Sequence, residues 1–442
     1  MKCIAISEIM NGPWRERAIY TAEERGIPSF VDGMKPVQRF LIYSGYKNAY
    51  KNFDKVASIG SVIARYNYHH GEASACAALT GMAAEYCNNI TWFEGDGNFG
   101  NILSPAAGAA RYIFARLPSY IDTLLKDTEF APKHPDPETA IPLYYLPIIP
   151  MVLVNGIKGI ATGYATDIPP YDPLDIIDIL EDLIKGKEAR EPKPKYYNFV
   201  GNVRVFLDHN ELQGVYELIS PVKIRITELP RGNTSESYET FLRKLQDKDV
   251  ISSYENNSCN GKFDYIVSIK KGTRWSDEQI IKTLKLVTTH TWNLTTVGIN
   301  GKIKEWSSAK EIIEEFYKFR IPFVQHRIDA KVKEYELVFK YYTSMLSFVS
   351  DVVSGTYSFK GKTDEELGTD LKGYNVPYEY IEKVKNMPLR SFTKDFISDI
   401  NTKKEEVEKN LEYYKTTTAG KEYKKDLEEF KTQYTKYLKQ QN

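Results

Sequence analysis

Apolar positions along this chain follow a helical period at both ends and an alternating period in the middle. In "DGMKPVQRFLIYSGYKNAY" they fall three and four apart after Pro36, which suits the first position of a helix. "SIGSVIARYNYHHGE" predicts a second short helix running into a histidine-bearing turn, and "EASACAALTGMAAEYC" a third. From about 141 to 175 the run "IPLYYLPIIPMVLVNGIKGIATGYATDIPPYDP" is apolar but broken by Gly and Pro, which favours short strands and tight turns. Residues 200–305 read mainly as strands ("NVRVFL", "VKIRITELP", "FDYIVSIK", "LTTVGING"), with a connecting helix near 276–290. Val324, Ile328, Val332, Tyr335, Phe339, Tyr342, Leu346, Val349 and Val353 then step by threes and fours, as a coiled-coil seam does. Tyr423, Leu427, Phe430, Tyr434 and Tyr437 repeat the rule. A long helix out, a helical knot around 355–400 and a long helix back make an antiparallel arm, with Pro322 kinking its base. The expectation is an α+β multidomain chain divided at 1–175, 176–305 and 306–442.

A chain of 442 residues, 42% hydrophobic and 27% charged, is ordinary for a soluble protein of two to four domains. No stretch is long and apolar enough to span a membrane, and the N-terminus lacks the apolar core of a signal peptide. Cys3, Cys76, Cys87 and Cys259 have no metal-ligand spacing, so free thiols in a reducing cytoplasm are expected. Lys+Arg and Asp+Glu both number 59, so any nucleic-acid surface must be local. Residues 35–66 provide one: Lys35, Arg39, Lys47, Lys51, Lys55 and Arg65 face a single acid, Asp54. With three short helices around it, that basic stretch fits a helix-turn-helix module.

Chemistry concentrates in "AAGAARYIFARL", residues 106–117, just after the glycine loop "EGDGNFG". One reading is a small-residue helix with Arg111 and Tyr112 reaching solvent. The other is a tyrosine hydroxyl prepared as a nucleophile, with a fixed cation beside it for an anionic centre.

Taken in order, "IPSFVDGMKPVQRFLIYSGY", "YHHGE", "EGDGNFG", "AARY" and "LVNGIKGIATGYATDIPP" resemble the DNA breakage–reunion core of type IIA DNA topoisomerases. "ITELP" and "NMPLRSFT" extend the resemblance over nearly the whole chain. It implies a winged-helix cleavage domain, a tower domain, and a coiled-coil arm (tip at about 355–400) ending in a dimer gate. It also implies that Tyr112 attacks a DNA phosphodiester and becomes joined to the 5′ phosphate. A phenol with a reference pKa near ~10 needs help for this. Arg111 would stabilise charge on the scissile phosphate, and His70, with His69 beside it, would order the hydroxyl's proton or donate to a phosphate oxygen. Lys35, Arg39, Lys55 and Arg65 would grip phosphates. Ile160 matches an apolar wedge that kinks DNA between base steps, on a turn shaped by Asn155, Gly156 and Gly159.

The sequence departs from the family pattern at Val31, where many members have an arginine. Ala73 and Ala77 stand where bacterial gyrases carry a serine and an acid that anchor quinolone drugs through a metal. "EGDGNFG" is not the metal-binding "EGDSA" of a toprim domain, and "HPDPE" at 134–138 reads as a proline-rich surface loop. With no toprim, ATP-lid or Walker A motif, Mg²⁺ and ATP are expected on toprim- and ATPase-bearing large subunits that partner a homodimer of this chain on double-stranded DNA. The rival reading is an architectural DNA-binding protein that kept the fold without the cleavage.

Overall fold

The computed structural model describes residues 5–388 and 391–441, so Cys3 and the Leu389–Arg390 pair of "NMPLRSFT" lie outside the described residues. The chain groups into two compact units. One comprises residues up to Lys318 together with those from Asp426 onward, and the other is Phe319–Lys425.

The first unit opens with a helical run through α1 (Ile6–Ile9) and α2 (Arg15–Thr21) to Gly26, interrupted at Gly12 (φ −110°, ψ −109°) ahead of Pro13. α3 (Pro36–Asn48) starts at its proline, and Gln38 Oε1 accepts the free Lys35 N–H at 2.8 Å. β1 (Asp54–Lys55) leads into α4 (Val56–Val62), a 3₁₀ turn at Ile63–Tyr66, and α5 (Glu72–Ala83). α4 and α5 approach closely at Gly60, where a Cβ would come within 2.7 Å of Cys76 Sγ. β2 (Glu94–Asp96) and β3 (Phe114–Arg116) complete an antiparallel three-stranded sheet in the order β1-β3-β2. Glu94 lies opposite Arg116 in that register and forms an ion pair with it at 2.9 Å. The alanine-rich segment before Tyr112 is therefore a turn feeding a central strand, not a small-residue helix.

Short helices α6 (Ile121–Leu124) and α7 (Met151–Val154) precede the hairpin of β4 (Ile157–Ala161) and β5 (Tyr164–Ile168). α8 (Pro173–Ile184) is capped by Asp172, which accepts the Leu174 N–H. β6 (Asn202–Val205), β7 (His209–Gln213), β8 (Val215–Ser220) and β9 (Lys223–Glu228) follow, then α9 (Ser235–Asp247), β10 (Ser253–Asn256), β11 (Tyr265–Ser268), α10 (Asp277–Thr283), β12 (Val287–Thr291), β13 (Thr295–Val297) and β14 (Ile303–Glu305). They form sheets β10-β11-β9-β8 and β12-β7-β6 and the pair β13-β14. Ile224, Ile226, Tyr238, Leu242, Tyr265 and Ile280 belong to one buried core here. The helix expected over 276–290 stops at Thr283, because Lys285 turns left-handed (φ 51°) and the chain becomes β12. α9 was hidden by the strand-rich reading, although Thr234 and Ser237 cap it reciprocally.

α11 (Ala309–Ser354) is one helix with Pro322 inside it, and α12 (Asp364–Gly373), α13 (Tyr378–Lys385) and α14 (Lys394–Thr416) lead to α15 (Ala419–Gln441). In the second unit α11 and α14 run antiparallel: Tyr335 stacks on Tyr414 at 5.6 Å, while Phe339, a turn later, meets the earlier Lys404 at 5.4 Å. Farther along, Tyr341, Met345, Phe348 and Val349 bury against Leu371, Ile381 and Val384 of α12 and α13. The seam thus rotates from the expected Tyr342 and Leu346 towards the small helices. Residues 426–441, expected with the arm, group with the first unit. There Phe430, Tyr434 and Tyr437 surround the fully buried ring of Tyr120, with centroids 4.9–6.0 Å away. No helix among the described residues is long and apolar enough to cross a membrane.

Candidate functional site

A helix begins with N–H groups that have no intrahelical partner. The first of these in α4 are satisfied by the turn that bears Tyr112: Val56 N–H donates to the Ile113 carbonyl and Ala57 N–H to that of Ala110, each at 3.0 Å. Tyr112 N–H closes the turn onto Ala109 at 2.8 Å, and Ile113 beyond it is buried. The backbone is fixed on both sides while the Tyr112 side chain is 72% exposed. The exposed Arg111 guanidinium lies 5.8 Å from its ring centroid. Lys55, also exposed, pairs with Phe114 across β1 and β3.

His70 follows another logic. Arg25 Nη2 lies 2.8 Å from Nδ1, and the Tyr20 hydroxyl 3.2 Å from Nε2. A guanidinium can only donate, so Nδ1 accepts and the ring proton sits on Nε2. Partial burial, with the Arg25 charge next, lowers the His70 pKa below its ordinary value. His69 and His70 line a cavity of about 630 Å³ with Arg25, Lys35, His134 and Asp136. Lys35 donates to the Lys158 carbonyl at 3.2 Å, and burial lowers its pKa. Arg65 is exposed on the 3₁₀ turn beside this wall.

Arg39, an expected phosphate contact, and Asn155, expected in the turn that carries Ile160, both have internal partners. Arg39 donates from Nε and Nη2 to the fully buried carboxylate of Asp32 at 2.7 and 3.1 Å, and Asp32 also accepts the N–H groups of Met34 and Tyr145. That pairing, not a free guanidinium, is what Arg39 presents, and it organises the turn before α3. Asn155 exchanges both amide hydrogen bonds with the Ile90 backbone, at 2.9 and 2.7 Å, so it clamps the chain ahead of β4. Val31 is buried, and its apolar side chain presents no cation at that position.

Ile160 stands on β4 at 77% exposure, opposite Ala165. At Gly159 an added Cβ would come 1.9 Å from the Gly26 carbonyl oxygen, so this strand can lie against the end of the N-terminal helical run only without a side chain there. On the other strand, Asp167 accepts from Lys158 and from His290 Nε2, both at 2.9 Å, while the Tyr196 hydroxyl donates to His290 Nδ1 at 2.7 Å. Backbone bonds between Asp167 and Asn293, 3.0 Å in each direction, fasten the hairpin further.

The structure therefore brings Lys35, His69 and His70 to one cavity and sets Arg111 and Tyr112 on a separate turn. Sequence reading missed Tyr20 and Arg25; only the adjacency of "ERG" to "IPSFVDG" marks them. Among the described residues no group of three or more His, Cys, Asp or Glu side chains is placed to hold a metal ion. The described residues of this chain do not fit a resident Mg²⁺.

Mixed helix and sheet with this exposed Arg–Tyr turn define a class. Residues 25–430 match the family model of the DNA gyrase/topoisomerase IV A subunit, and the chain belongs to that family. The DNA topoisomerase medium subunit of Enterobacteria phage T4 is 36% identical over 424 residues, covering 94% of this chain and 96% of that protein. DNA topoisomerase 2, mitochondrial, of Dictyostelium discoideum is 30% identical over 86% of this chain, but the match spans only 31% of that longer protein. The crystal structure of the Plasmodium falciparum topoisomerase II DNA-binding, cleavage and re-ligation domain superposes with a TM-score of 0.84 at 27% identity. It covers 97% of this chain and 65% of that one.

Proposed function

We propose that this chain is the DNA-cleaving subunit of an ATP-dependent type IIA topoisomerase, in which Tyr112 forms a transient 5′-phosphotyrosine link in each strand of a double-strand break. The observation that carries this reading is the Arg111–Tyr112 turn, rigid in its backbone and open at its phenol. Attack by the Tyr112 oxygen forms the phosphotyrosine ester and expels the 3′ hydroxyl; resealing reverses this, so the bond energy is conserved. Arg111 stabilises charge on the phosphate, and His70 offers its Nε2 proton to a phosphate oxygen in place of Tyr20. Lys35, Lys55, Arg65 and His69 supply backbone contacts that set register. Ile160 wedges a base step open.

On this reading α3–α5 with sheet β1-β3-β2 are a winged helix, residues 176–305 a tower, and the helical pair of the second unit an arm towards a dimer gate. A homodimer of this chain works with toprim- and ATPase-bearing large subunits that bring Mg²⁺ and ATP, a division that the "medium subunit" name of the phage T4 relative supports. Held by the partner subunits, the metal would supply charge neutralisation at the phosphate. The test is Tyr112→Phe, which removes only the nucleophilic oxygen. DNA binding should survive while protein-linked 5′ ends disappear; their persistence would refute the assignment.

A further inference from the structure

The loop after Ala131, including the "HPDPE" stretch, belongs to the wall of the histidine cavity. His134, Asp136 and Thr139 all line it. The loop closes on itself through the Leu143 N–H to Pro132 carbonyl bond at 2.9 Å and an antiparallel bridge between Lys133 and Pro142. At its centre every Asp136 contact is specific. Oδ1 accepts the Glu138 N–H at 3.0 Å, and Oδ2 accepts Thr139 Oγ1 at 3.1 Å and Asn67 Nδ2 at 2.6 Å. Asp136 N–H donates to His134 Nδ1 at 3.1 Å. The Glu138 N–H, then the Thr139 hydroxyl, hold the carboxyl below the usual carboxylate range, so it is ionised at neutral pH.

Asn67 is the residue on which the histidine turn pivots. It ends the 3₁₀ turn in a left-handed conformation (φ 75°), which an asparagine tolerates better than most residues, and Tyr68, His69 and His70 follow it. Its amide also donates to Thr139 Oγ1 at 3.0 Å. Tyr68 lies edge-on to His70, with centroids 5.2 Å apart. The turn is thus gripped from two sides by segments remote in sequence: Tyr20 and Arg25 on the His70 ring, and Asp136 with Thr139 on the Asn67 amide.

We infer that Asp136 is a positioning residue for the histidine turn, acting through Asn67 to hold His70 in register with Arg25 and Tyr20. This rests on the cleavage reading above. With the partner subunits and supercoiled DNA, Asp136→Ala should slow single-turnover cleavage about tenfold, as for a displaced reacting group. DNA affinity should stay within about twofold, because the phosphate contacts remain. Asp136→Asn keeps an acceptor for Asn67 and should recover most of the rate. In a His70→Ala background Asp136→Ala should add nothing; a full additional loss there, or a loss confined to affinity, would overturn the proposal. A second readout needs no activity. In the isolated chain, Asp136→Ala should move the His70 imidazole titration, followed by NMR, up towards 6.5 as the Arg25 contact loosens. An unmoved titration would overturn the positioning role even where cleavage is intact. Absence of any Tyr112 link in the unaltered enzyme would overturn the cleavage reading alone.

Discussion

Because Arg25 donates to Nδ1, His70 cannot take a second proton without breaking that contact and setting two cations side by side. Partial burial, and after it the Arg25 charge, hold its folded-state pKa below the value of 6.5 that it has in an unfolded chain. The unfolded state binds more protons in this window, so His70 costs nothing above about 6.5 and destabilises the fold as pH falls through its lowered value. Replacing Arg25 with methionine should raise the His70 midpoint, measurable by NMR in the isolated chain, and carry the acid limb of the cleavage profile upward with it. Arg111 makes a different prediction. Arg111→Ala should slow cleavage and resealing by ~10²-fold or more, as for lost preorganised charge stabilisation. Affinity at moderate salt should change little, and a filter-binding titration beside a rapid-quench time course separates the two. Arg111, Tyr112 and His70 were legible in the sequence as candidates because their motifs are contiguous. The pairing of Arg39 with Asp32 and of Asn155 with the Ile90 backbone was not legible, because a free cation or amide looks the same in sequence as an engaged one.

Among the elements, the β4–β5 hairpin shows how an exposed apolar residue is made rigid. Ile160 has little packing of its own, so its aim depends on Gly159 against Gly26 and on Asp167 against Lys158, His290 and Asn293. If Ile160 is the proposed wedge, Ile160→Ala should reduce both DNA bending, read by fluorescence transfer on a short duplex, and cleavage, since unstacking a kinked step costs on the order of a few kcal/mol that such a side chain helps offset. Asp167→Ala should reduce bending in the same assay while leaving the wedge side chain in place. Burial alone would raise the Asp167 carboxyl, but the donors from His290 and Lys158 outweigh it and hold the pKa below 3.8. Its support for the hairpin is therefore complete above that value and is lost only as pH falls through the lower folded one. The periodicity of 423–437 was legible to the residue, and each of its five apolar positions is buried. What they bury against was not, since Tyr120 carries no periodic mark. The strand-rich middle was read least well, because one left-handed lysine turned a helical pattern into β12.

For the whole molecule, the prediction is a division of labour. Purified alone, the chain should bind DNA and dimerise, yet neither cleave nor pass strands; a toprim- and ATPase-bearing partner should restore Mg²⁺-dependent cleavage and ATP-dependent relaxation together. Cleavage by the chain with Mg²⁺ alone, in an agarose-gel assay with denatured complexes, would contradict the division. The packing of α15 on Tyr120 carries a consequence for how the protein is made. Gln433 accepts from Thr123 and the Tyr434 hydroxyl donates to the Asn89 carbonyl, contacts spanning 310 and 345 residues. A ribosome delivers Tyr120 early but withholds the aromatic residues that pack on it, the first of them Phe430, until about 300 residues later. The packing around Tyr120 then stays incomplete throughout most of synthesis, and such non-local closure is slow. Nascent chains halted before residue 426 should be protease-sensitive around Tyr120, and protection should arrive only with the last helix.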